Sequence, residues 1–202
     1  RYKDYAHDIN ASGSHLLSII NDILNIAKIE SGKMELFPVV LDPRDTIEDA
    51  MKVVAGRARE RQQVLDVQID DDAPMPYADE RAMKPIVINL VGTAIKFNQE
   101  GGRIAVAGRK TDGGFELCVS DNGPGIPAEM LDRIFTPFNQ VDNRYNRSVG
   151  GTGLGLSLVR GLAELHGGKA WIESDMGQGT RAYVYFPVAN TPDMRVRSRR
   201  SA

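Results

Sequence analysis

The sequence has a single cysteine, Cys118, in 202 residues, which excludes an internal disulfide and fits a reducing compartment. It also lacks a surplus of either charge. A formal net charge of -2 argues against a nucleic-acid partner, which would call for a basic surface to neutralise phosphates. No apolar run approaches the roughly 18 residues of a membrane span, and the first residues lack a signal-peptide layout. The expected location is therefore cytoplasmic, with any membrane anchor of a parent protein lying outside these residues. Internal repeats and low-complexity tracts are absent. What is present is an ordinary globular composition, 42% hydrophobic and 26% charged, in a chain long enough to bury a core.

Three zones follow from the patterning. Residues 1–33 read as one long helix from Tyr2 to Glu30, closed by the stop signal Ser31-Gly32. Ile9, Leu16, Ile23 and Glu30 recur every seven residues, and Ile19, Ile20, Leu24 and Ala27 widen the stripe. So broad an apolar face needs a partner helix, which suggests one half of a helical hairpin; an ordinary core helix is the alternative. Residues 34–188 alternate strands and helices. Strands are expected over Met34–Leu41, Val64–Ile69, Arg103–Lys110, Phe115–Ser120, Lys169–Ser174 and Gly179–Phe186. Helices are expected over Arg44–Gln62, Glu80–Asn98, Ala128–Ile134 and Gly153–His166. Strands grouped as hairpins with helices between them fit an α+β sandwich better than a doubly wound parallel sheet. Residues 189–202, with four arginines and little to bury, read as a basic tail.

Four segments carry candidate chemistry. Asn89, Thr93 and Lys96, spaced by four and three, share one helix face; an amide, a hydroxyl and an ammonium together suit a metal-bound polyphosphate. Asp121-Asn122-Gly123-Pro124-Gly125-Ile126 follows an apolar strand. It leaves a carboxylate at the sheet edge able to accept from an exocyclic amine, although a structural turn explains the same residues. Gly150-Gly151-Thr152-Gly153-Leu154-Gly155-Leu156 runs into a helix and offers amides and a helix N-terminus to an anion. It lacks the Gly-Lys-Ser/Thr of a P-loop, and no strand precedes it as the dinucleotide fingerprint requires. The polar loop before it holds Arg144 and Arg147 and could fold over a ligand. Gly177-Gln178-Gly179-Thr180, alone, reads as a hairpin turn.

In order and spacing these segments resemble the N, G1, F, G2 and G3 boxes of the histidine-kinase catalytic domain, Phe135-Thr136-Pro137-Phe138 being the F box. That domain belongs to the wider ATPase family of Hsp90, gyrase B and MutL. The resemblance covers about Asp42 to Val188 and implies a two-layer α/β sandwich of the GHKL (Bergerat) type with a long N-terminal helix. The helix itself, through His15-Leu16-Leu17, Asn21-Asp22-Ile23-Leu24 and Ile29-Glu30-Ser31-Gly32, resembles the second helix of the dimerisation and phosphotransfer hairpin. Its wording is similar to that of alphaproteobacterial cell-cycle kinases of the PleC and DivJ kind.

The resemblance implies ATP and Mg²⁺ as ligands and a set of roles. Asp121 would bind the adenine amine with Thr180 in support, while Phe97 and Ile126 line the slot beside Gly123 and Gly125. Lys96 would meet phosphate, the backbone of Gly151, Thr152, Gly153, Leu154, Gly155 and Leu156 would hold the phosphate chain, and Arg147 would reach the terminal phosphate. Asn89 would sit near the metal. It further implies transfer of the γ-phosphoryl to a histidine, then to a response-regulator receiver domain, in a homodimer. The acceptor histidine of this family is followed by Glu and a nearby Pro; His7, His15 and His166 lack that context, so it is expected on a helix outside these residues.

One departure stands out. The family's N box has a second, metal-binding asparagine where this chain has Thr93, a poorer ligand for a hard cation. The alternative function is therefore a nucleotide-responsive interaction module with weakened kinase activity. A chaperone- or topoisomerase-type ATPase is disfavoured, because Asn89 stands where an acidic residue would activate water.

Overall fold

The computed structural model describes residues 2–139 and 151–188. The N-terminal helix α1 spans Tyr2–Glu30. It ends in a Schellman arrangement: Lys33 N–H donates to Lys28 O at 2.9 Å, Gly32 N–H donates to Ile29 O at 3.0 Å, and Gly32 takes φ 67°. Then come β1 (Val39–Val40), α2 (Pro43–Glu60), β2 (Val64–Ile69), β3 (Tyr77–Ala78), α3 (Glu80–Phe97), β4 (Arg103–Thr111) and β5 (Gly114–Asp121). The short α4 (Ala128–Leu131), α5 (Gly155–Leu165), β6 (Lys169–Asp175) and β7 (Gly179–Pro187) complete the order.

Five strands form one sheet in the order β2-β4-β5-β7-β6, in which only β2 and β4 are parallel. The α2 and α3 helices start on aspartate caps: Asp42 and Asp79 each accept from the amide two residues on, at 2.9 Å. Strand alternation sends Phe115, Leu117 and Val119 of β5 and Val184 and Phe186 of β7 toward the helices. There they meet buried Ile47 of α2, Ile86 of α3 and Leu162 of α5, each worth about 2–3 kcal/mol of burial. The result is the two-layer α+β sandwich expected.

The expected strand over Met34–Leu41 shrinks to Val39–Val40, paired with a short strand at Tyr77–Ala78 that is not among those expected. Pro38 has no N–H to give a ladder, and the Phe37 N–H donates instead to the Asp79 carboxylate at 2.9 Å. The helix expected over Ala128–Ile134 stops at Leu131 and continues as single turns, Arg133 N–H to Met130 O and Thr136 N–H to Arg133 O. The basic tail falls outside the described residues.

The outer side of α1 is uncovered, with Leu16, Leu17, Ile20, Ile23 and Leu24 exposed and Ile9 at 72%. Its last turns dock on α5, where Ile26 and Ile29 pack against the core. A Cβ on Gly161 would lie 3.1 Å from Ile29, so the glycine lets the two helices approach. Among the described residues no helix is long and apolar enough to cross a membrane.

Candidate functional site

Three elements converge at one end of the helix layer. Helix α3 supplies Asn89, Thr93 and Lys96, all half-buried, and Phe97, which is 37% exposed at its last turn. Asn89 Nδ2–H₂ donates to Pro85 O at 3.0 Å, a carbonyl of its own helix. That bond orients the amide so that Oδ1 approaches Gly155: a Cβ there would lie 2.9 Å from it. Glycine at 155 is thus a requirement of close approach between α3 and the first turn of α5. Two turns further along α3, the Lys96 Nζ reaches the backbone at Gly151 and lies 4.8 Å from the Phe97 ring centroid. Burial pushes the Lys96 ammonium below its ordinary range.

Strand β5 ends at Asp121, whose Cα pairs with Thr180 across the β5–β7 ladder. The carboxylate accepts from Gly123 N–H at 2.8 Å. Burial raises its pKa, and the backbone amides of Gly123 and Thr180 partly offset that rise. Gly125 takes φ 76° where a side chain would run into the Asp175 carbonyl, so the loop after Asp121 lies against the β6–β7 turn. Gly177 N–H donates to Pro124 O at 2.8 Å and closes the same contact.

The glycine-rich segment is held at both ends. Phe138 N–H donates to Gly153 O at 3.1 Å, which ties the Phe135–Phe138 segment to it. Thr152 Oγ1 accepts from Leu154 N–H at 3.2 Å. The Leu154 side chain is 1% exposed, so it anchors the segment in the core. Among the described residues no side-chain hydrogen bond caps the N-terminus of α5, and its first residue, Gly155, lies against Asn89. Asn89, Lys96 and the 151–156 segment are thus together, and Asp121, Gly123, Gly125, Ile126 and Thr180 cluster at the strand ends. Phe97 ends the helix next to Lys96. Arg144, Arg147 and Gly150 lie outside the described residues.

Two residues of the site carry no motif in the sequence. Asn98, 2% exposed at the C-cap of α3, donates from Nδ2 to Arg103 O and to Asn122 Oδ1, each at 3.1 Å. It straps the end of α3 to the loop behind Asp121. Ser174 of β6 accepts from Ile126 N–H at 2.9 Å and lies 2.8 Å from Gly179 O and 3.0 Å from Thr180 Oγ1. Only its place opposite Thr180 in the ladder, which depends on β6 pairing with β7, reveals it.

A separate concavity of about 770 Å³ opens at the strand ends, bounded by Asp66, Ala105, Ser120, Glu173 and Arg181 on the side of the sheet away from the helices. It touches Asp121 and Ser174 but none of the α3 or 151–156 residues. Its walls mix both charges, so it is not a polyphosphate cradle. Among the described residues no three His, Cys, Asp or Glu side chains cluster as a metal centre. Any cation here would lean on amide and hydroxyl oxygens, with phosphate and water, a donor set compatible with magnesium.

The family model described as "Histidine kinase-, DNA gyrase B-, and HSP90-like ATPase" matches residues 78–190. Histidine protein kinase DivJ of Caulobacter vibrioides is 42% identical over 196 residues, covering 95% of this chain and 32% of that protein. The chain therefore spans about a third of that relative's length. Among solved structures, full-length ShkA in complex with AMPPNP superposes with TM-score 0.80 at 30% identity, over 94% of this chain and 40% of that one. Histidine kinase ThkA in complex with the response regulator TrrA gives TM-score 0.71 at 26% identity, over 96% of this chain and 52% of that one.

Proposed function

The chain belongs to the histidine kinase-, DNA gyrase B- and HSP90-like ATPase family, and from that premise we propose that it is the ATP-binding catalytic unit of a two-component sensor histidine kinase. The observation that carries this reading is the approach of Asn89 to the uncapped first turn of α5 and of Lys96 to Gly151 just before it, together with a half-buried carboxylate, Asp121, at the strand end. In this reading Asp121 accepts from the adenine amine, and Phe97 and Ile126 flank the base. Gly123 and Gly125 let the backbone come close. The Gly151–Leu156 segment offers its backbone to the phosphate chain, and Lys96 neutralises the phosphates. Arg147 is assigned to the terminal phosphate.

The reaction is transfer of the γ-phosphoryl to a histidine nitrogen: the P–O bond to the β-phosphate breaks, an N–P bond forms, and ADP leaves. Positioning and charge neutralisation supply the catalysis, which is what Lys96 and the amides do. Magnesium, when bound, would draw charge from the phosphate oxygens; Asn89 Oδ1 and the Thr93 hydroxyl are the side-chain oxygens assigned to hold it. We place the acceptor histidine on another helix, because His166 is 2% exposed with both ring nitrogens engaged, and His7 and His15 lack the family context. The assigned partners are that helix, packed against α1, a second copy, and a receiver domain that takes the phosphoryl group onward. A cytoplasmic site of action accompanies the assignment.

Thr93 favours a second reading, a nucleotide-responsive module in which transfer is weakened. Calorimetry with an ATP analogue, with and without Mg²⁺, on this chain and on Thr93→Asn separates the two. Tight magnesium-dependent binding in the unaltered chain supports the kinase. Weak or metal-indifferent binding rescued by asparagine supports the module, and no nucleotide binding in either overturns both.

A further inference from the structure

The hydroxyl of Ser174 sits where three hydrogen-bonding demands meet, and their directions can be counted. Ile126 N–H, 2.9 Å away, can only donate, so it takes one lone pair of Ser174 Oγ. Gly179 O, 2.8 Å away, can only accept, so it takes the single Ser174 proton. Thr180 Oγ1, 3.0 Å away, is left with the second lone pair of Ser174 and must spend its own proton there. Its hydroxyl then has only lone pairs for anything else. The neighbour across the β5–β7 ladder is Asp121, whose ionised carboxylate is likewise an acceptor alone.

We infer that Ser174 is a positioning residue for nucleotide choice: it holds the Thr180 hydroxyl as an obligate acceptor, so the pocket selects a purine with an amine, not a carbonyl, at C6. This rests on the ATP-site reading above. Without Ser174 the Thr180 hydroxyl is free to turn and donate to a carbonyl. The discrimination against guanine then loses one of its two sources and keeps the other, Asp121.

Calorimetry with AMPPNP and GMPPNP on the whole chain tests it, the readout being the ratio of the two affinities. Ser174→Ala is expected to lower the preference for adenine about five- to tenfold, the worth of one recovered hydrogen bond, mainly by improving GMPPNP binding. Ser174→Thr, which keeps the hydroxyl, is expected to restore it. In a Thr180→Val background Ser174→Ala should leave the ratio unchanged. A merely structural Ser174 would weaken both nucleotides together, and an unchanged ratio in Ser174→Ala overturns the assignment. If Ser174→Ala does not fold, Thr180→Val alone decides. It should weaken AMPPNP and spare GMPPNP, and equal loss of both refutes the proposal. Failure of AMPPNP to bind the unaltered chain would refute the ATP-site reading itself.

Discussion

His166 must remain neutral for the fold to keep its present bonds, and this makes stability fall on mild acidification. The ring is 2% exposed at the end of α5 and meets Phe186 edge-on at 5.6 Å. Nδ1 lies 2.7 Å from Leu162 O and so must donate, while Nε2 accepts from Asp79 N–H at 3.0 Å. A second ring proton would face an N–H. Burial accordingly pushes the imidazole below its ordinary 6.5, with the Leu162 carbonyl only partly opposing it. The folded value is depressed, so the unfolded chain takes up the proton first. Stability is therefore level above 6.5 and declines from there downward toward the folded value. If the folded state excludes the proton at pH 5.5, the loss between pH 7.5 and 5.5 is about 1.4 kcal/mol. Asp121 and Asp22, whose pKa values are raised by burial, oppose this where they protonate. The measurement is therefore a difference between the unaltered chain and His166→Gln, whose side-chain oxygen still accepts from Asp79 N–H. Urea unfolding at the two pH values should show a larger drop in the unaltered chain by about 1 kcal/mol. Equal slopes in the two proteins would refute the reasoning.

At the other end of the same contact, Asp79 accepts from Arg81 and from the Phe37 and Arg81 amides, and its pKa falls to about 2. The stabilisation is present above about 3.8 and disappears as pH falls through 2; Asp79→Asn should cost about 2 kcal/mol at pH 7 as a ceiling, given the exposed Arg81, and the deficit should close in acid. Unchanged urea stability at pH 7 would contradict this. The uncovered stripe of α1 should drive self-association, and Leu16→Glu with Ile23→Glu should shift sedimentation toward the monomer; strictly monomeric behaviour of the unaltered chain at all concentrations would count against it.

Much of the architecture was legible from periodicity alone, because β4 and α3 each bury one regular face. The Val64–Ile69 strand matches its expected span, and α3 ends one residue early at the Asn98 cap. What was not legible depended on distant partners. Phe37 spends its amide on Asp79, so Met34–Leu41 could not remain a strand, and no local pattern announces that. In the site, residues on one helix face or within one loop could be grouped from spacing. Asn98 and Ser174 could not, since their partners Asn122 and Ile126 are distant in sequence and come beside them only once the strands have paired.

The seat of Ile29 on Gly161 has a mechanical consequence. Gly161 lies six residues beyond Gly155 on one unbroken helix, about 9 Å along a rod with no hinge in between. A push delivered by α1 at that seat reaches the first-turn amides as displacement of a stiff lever. A loop in the same place would absorb the stroke.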